Sequence, residues 1–113
     1  MQVRHEGEPL ATDVEVARSL PARMRGLTGR RSVPEDYALV IPFDHSARRA
    51  VHMLFVRSPI DVVWIADDRV TRRATLSPWT GLAWSRADTV IELAAGAASH
   101  VVEGDCVTVA ASD

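Results

Sequence analysis

Residues 60–76 read IDVVWIADDRVTRRATL, and this stretch decides the fold. Two β-rich runs, Ile60–Ala66 and residues 70–76, flank Asp67-Asp68-Arg69, a spacing that predicts a tight antiparallel hairpin. Upstream, residues 37–43 (YALVIPF) and 51–56 (VHMLFV) are apolar runs too short for helices, so both read as buried strands. Downstream, residues 77–86 hold Pro78, Gly81, Trp79 and Trp84 and read as a loop. Strands are expected at 89–94 and 106–110, with one short helical turn at 96–103.

The N-terminal part adds a half-buried strand at 13–17, where Val14 and Val16 alternate with polar residues, and a short partner near 2–5. Ser19 sits as an N-cap, Leu20, Met24 and Leu27 recur at helical spacing, and Gly29 is placed to end the turn. One helix over 20–28 follows. The expected fold is therefore α+β and mainly β: a small bent antiparallel-rich sheet or partly closed barrel of about seven strands with one covering helix.

A chain of 113 residues fits one domain, and 47% hydrophobic with 25% charged residues is ordinary globular composition. All thirteen basic residues are Arg, against nine Asp and six Glu, so the formal charge is −2. With a pI near 6.1, nucleic acid and membrane are not expected partners. Residues 1–57 carry nine Arg against seven acids and the remainder four against eight. The lone Cys106 excludes an internal disulfide and a multi-Cys zinc site, and the four His residues show no metal-ligand spacing. No metal or other cofactor is expected. With no secretory pattern and no long apolar run, the expected location is the cytoplasm.

Taken in order, ARMRGLTGR (residues 22–30), YALVIPF, PIDVVWIA (residues 59–66) and residues 90–96 followed by Gly104-Asp105 resemble the prokaryotic domain-of-unknown-function-192 family over about residues 13–110. Matching positions are Arg23, Gly26, Leu27 and Arg30, then Met53, Pro59 and Asp61, then Glu92, Leu93, Gly96, Gly104 and Asp105. Thr28 replaces the family's Met, and His52, Phe55 and Val56 stand where it has Trp, Asn and Thr. The resemblance implies a compact β-rich fold, with many bacterial relatives exported, and implies no particular reaction or ligand.

Two groups of residues can carry chemistry. On helical geometry Arg23 borders the apolar stripe and Arg30 follows the stop, while Asp61 and Glu92 interrupt apolar strands and need partners once desolvated. Arg23, Arg30, Asp61 and Glu92 are expected to form one cluster, either a structural ion-pair network or an anion pocket. Trp79 and Trp84 flank Gly81 and either close the open end of the core or offer aromatic faces to a ligand. No catalytic motif is present. The function expected is a non-enzymatic accessory domain binding a small molecule, anionic or sugar-like, or a protein. The alternatives are an enzyme, such as a hydrolase, working through Asp61 or Glu92 with His52, or a structural oligomer subunit.

Overall fold

The computed structural model describes residues 1–19 and 33–111. Eight strands form: β1 (Gln2–His5), β2 (Glu8–Ala11), β3 (Asp13–Val16), β4 (Tyr37–His52), β5 (Ile60–Ala66), β6 (Arg69–Leu76), β7 (Leu82–Ala94) and β8 (Val107–Ala110). Five of them make a sheet in the order β3-β4-β7-β5-β6, parallel between β3 and β4 and antiparallel elsewhere. The others make a small antiparallel sheet, β2-β1-β8.

The central hairpin forms as expected, with one refinement. Arg69 pairs with Ala66, leaving only Asp67 and Asp68 in the turn, at φ 51° and 62°. Two successive left-handed residues make the twist that suits paired strands, and Asp tolerates that region better than most side chains.

Strands β4 and β7 depart further from expectation. The runs at 37–43 and 51–56 belong in part to a single sixteen-residue strand, β4, which continues through the largely polar residues 44–50. Half of the presumed loop at 77–86 is the start of β7. Register pairs Ala47–His52 with Leu82–Ala87, and exposure alternates along both segments. The inward set is small (Ala83, Ala87, Val51), so alternation was a weak signal beside Pro78, Gly81 and two Trp residues. Between Pro42 and Ala47 the register slips, which is how one long strand serves both the sheet and the ribbon that extends from it.

Apolar cores lie on the two faces of the five-stranded sheet. One joins Leu39, Val62, Trp64 and Val90 to Val51, Ala83 and Ala87 of the ribbon. The other joins Val40, Val63, Ile91 and Leu93 to Val3, Ala98, Val101 and Val107. Burial on both faces explains why β5 reads as a continuous apolar run. The indole Nε1 of fully buried Trp64 donates to the Arg49 carbonyl at 2.8 Å, tying β5 to the ribbon.

The sheet does not close into a barrel; β3 and β6 remain its edges. Side chains take the place of a closing ladder: the Thr71 hydroxyl reaches the Arg86 carbonyl at 2.6 Å and the Arg72 guanidinium donates to the Trp84 carbonyl at 2.9 Å. Residues 95–100 form successive turns rather than the short helical turn expected at 96–103: Ala97 and Ser99 N–H donate to the carbonyls three residues back, Ala94 and Gly96, while Gly96 and Ala98 N–H go to a side chain described below. The covering helix expected over 20–28 lies outside the described residues, among which there is no helix.

Candidate functional site

Along the ribbon, cross-strand partners share a face, and register places Arg48 opposite Arg86, Ala50 opposite Trp84 and His52 opposite Leu82. All six are exposed. The Arg48 guanidinium lies 4.9 Å from the centroid of the Trp84 ring, a cation–π geometry that holds the indole up on the surface.

At the end of the ribbon two loops are stitched together. Met53 N–H donates to Gly81 O at 2.9 Å, and Trp79 N–H to Val56 O at 3.3 Å. Gly81 is required by contact: a Cβ there would lie 2.7 Å from Met53 Cγ, 2.8 Å from Ser77 O and 2.9 Å from Leu76 Cβ. The joined loops present Phe55 and Trp79, whose rings meet edge to face at 5.3 Å and 63°. Both residues have positive φ, 63° and 66°, a region that is costly for bulky side chains.

Trp79 and Trp84 are 48% and 44% exposed, Phe55 and Leu82 60% and Leu54 54%, while Trp64 is fully buried. The two loop-region Trp residues therefore do not close the core; Trp64 fills it. Charge follows the same division. Residues 45–60 hold three Arg and residues 69–87 four, with no Asp or Glu in either segment. The chain-wide charge of −2 averages over this acid-free region and an acidic remainder.

Asp61 and Glu92, expected in one cluster, are buried on opposite faces of the sheet. Asp61 pairs with Leu93 and Val62 with Glu92, so the two carboxylates are one register step apart and point to different cores. Asp61 is fully buried, and its carboxylate accepts from the Thr75 hydroxyl at 2.7 Å, Gly96 N–H at 3.1 Å and Ala98 N–H at 2.9 Å. That fixes the turns after β7, and it occupies the oxygens an acid–base role would need. Glu92 lies between Leu39 and Val62 on the other face. Arg23 and Arg30 lie outside the described residues. His52 is on the outward face of the ribbon, where its Nδ1 accepts from Leu54 N–H at 3.3 Å, so the structure does not bring it to either acid.

A third polar site joins the chain ends. His5 Nε2 lies 2.7 Å from Asp105 Oδ2, which also accepts from Val102 N–H at 3.1 Å. The His5 hydrogen bond first, and the Val102 N–H second, hold the Asp105 carboxyl below its ordinary range. Half-buried Cys106 sits beside it, its N–H donating to Glu6 Oε1 at 2.8 Å. Among the described residues, no three His, Cys, Asp or Glu side chains converge as a metal site.

These features place the chain among known proteins. It aligns with a UPF0127 protein of Thermococcus kodakarensis at 33% identity over 67 residues, 58% of this chain and 43% of that protein, so it spans less than half the length of this relative. The fold resembles a solved Sinorhizobium meliloti protein described as a "putative transcription regulator", with TM-score 0.77 and 25% identity over 84% of this chain and 79% of that one. It also resembles a Novosphingobium aromaticivorans protein of unknown function, with TM-score 0.75 and 21% identity over 85% and 74%. The family model for DUF192, described as Uncharacterized ACR, matches residues 1–109, and the chain belongs to that family.

Proposed function

We propose that the domain is a non-enzymatic binding module whose recognition surface is the outward ribbon face and its tip, and whose partner is anionic and partly apolar. The observation that carries this reading is the Phe55–Trp79 pair, two large aromatic residues at positive φ and about half exposed. Left-handed backbone costs a bulky residue roughly 1–2 kcal/mol, and leaving apolar rings in water forgoes burial. An arrangement that is costly on both counts is supported by use at a surface. Trp, Phe and Arg are also the side chains that dominate interface energetics. The edge-to-face geometry presents a knob rather than a flat platform, which disfavours a stacked sugar ring or base.

The experiment is calorimetric titration with a soluble peptide of alternating Glu and Leu, comparing the wild type with Arg48→Glu/Arg86→Glu. Binding is expected for the wild type and a loss of about tenfold or more for the double variant. Equal affinity for both proteins contradicts the proposal.

The Sinorhizobium protein's description raises duplex DNA as a second reading, favoured by one feature: Arg48 and Arg86 stand opposite each other on a two-stranded ribbon, a shape that can enter a groove. Exposed Leu54, Phe55 and Leu82 count against it, since phosphate contact makes no use of them.

A further inference from the structure

Resting on that reading, we propose that the partner is the surface of an anionic lipid bilayer, met tip first. Leu54, Phe55, Trp79 and Leu82 form the apolar leading end, and Trp in particular favours the boundary between headgroups and acyl chains. Behind them stand Arg57 next to the tip and Arg48, Arg72 and Arg86 on and beside the ribbon, all exposed. Apolar tip and cationic flank together are the pairing that an interface with anionic headgroups rewards.

Two observations favour a bilayer over a folded protein, since a fluid interface accommodates exposed rings such as Phe55 and Trp79 without a complementary receptor. The positive φ of Phe55 and Trp79, with the Gly81 contacts beneath them, holds the rings outward instead of letting them fold back on the core. The charge pattern favours this orientation: Arg48, Arg57, Arg72 and Arg86 are exposed on and beside the ribbon and its tip, in two segments, residues 45–60 and 69–87, that contain no Asp or Glu, so an anionic surface attracts this face. No helix among the described residues is long and apolar enough to cross a membrane, so the association proposed is peripheral.

The test is co-sedimentation and Trp emission with vesicles of phosphatidylcholine and phosphatidylglycerol (3:1) and of phosphatidylcholine alone. Partitioning into the mixed vesicles should exceed that into the neutral ones by about tenfold or more and weaken steeply with salt. Emission should shift to the blue on binding, and Trp79→Ala should abolish most of that shift. Arg48→Glu/Arg86→Glu should lower partitioning about tenfold with an unchanged melting temperature. Because these side chains are exposed, folding is preserved; Phe55→Ser serves as a second variant should the charge reversal misfold. Equal partitioning into both vesicles, or none, overturns the lipid assignment. Arg-dependent binding of the Glu/Leu peptide or of a DNA duplex without vesicle binding overturns it too, while leaving the surface as the recognition site. No binding of vesicle, peptide or duplex overturns both proposals.

Discussion

Phe55 and Trp79 meet edge to face at 5.3 Å across two different loops, each in a left-handed backbone conformation. Asn is at ease in that conformation, so Phe55→Asn relieves roughly 1–2 kcal/mol of backbone cost while losing an aromatic pair of about 0.5–1.5 kcal/mol. Stability by chemical denaturation should therefore stay within about 1 kcal/mol of the wild type, and binding should fall. A loss near 3 kcal/mol or more, the size seen for aromatic truncation in a core, would show that Phe55 closes the interior instead.

Gly81→Ala makes the opposite trade. The added methyl meets a backbone carbonyl at 2.8 Å and the Leu76 Cβ at 2.9 Å, neither of which can swing aside as a side-chain end can. Overpacking of this kind costs about 1–3 kcal/mol, and the displaced loop carries Trp79. Both stability and partner binding are expected to drop, with a lowered denaturation midpoint as the readout. An unchanged midpoint would mean the loop has slack that the contacts do not show.

Asp61 is a scaffold residue. Asp61→Ala strands the buried Ala98 N–H and removes the acceptor for Gly96 N–H and the Thr75 hydroxyl. Unsatisfied buried donors cost about 1–3 kcal/mol each, so a loss of roughly 2–4 kcal/mol is expected, with faster amide hydrogen exchange over residues 96–101. Wild-type exchange rates there would refute the role.

The Asp105 carboxyl gives a pH signature. Its folded value is held below the ordinary 3.8, first by the His5 hydrogen bond, so its contribution to stability is complete above 3.8 and is lost as pH falls through the lower folded value. Asp105→Asn should therefore be less stable than the wild type at pH 5 to 6, with the gap narrowing below about pH 3.8. A gap that stays constant down to pH 2 would remove the carboxylate's charge from the account.

Among the described residues that carried the family resemblance, Asp61, Gly96, Gly104 and Asp105 shape the scaffold, and the structure gives the physical reason for each. Asp61 holds Gly96 N–H, Gly96 and Gly104 have φ of 89° and 93°, and Asp105 fastens the last turn to β1. Local signals sufficed for the 60–76 hairpin because its apolar runs and turn residues agree. They did not suffice for the ribbon. Its inward face is built from Ala and Val, its outward face mixes Arg with Trp and Leu, and Pro78 and Gly81 mask where β7 begins. The opposition of Asp61 and Glu92 depends on register between strands far apart in sequence, which residue types alone do not encode. A chain-wide net charge likewise does not reveal that residues 45–60 and 69–87 contain Arg and no Asp or Glu.

The most direct test of the recognition surface is a map of backbone amide NMR shifts during titration with the Glu/Leu peptide. Perturbations are expected to be confined to residues 48–57 and 79–86. Shifts centred on the open cleft lined by Leu10, Glu35 and Ala97, with the ribbon unmoved, would contradict that expectation.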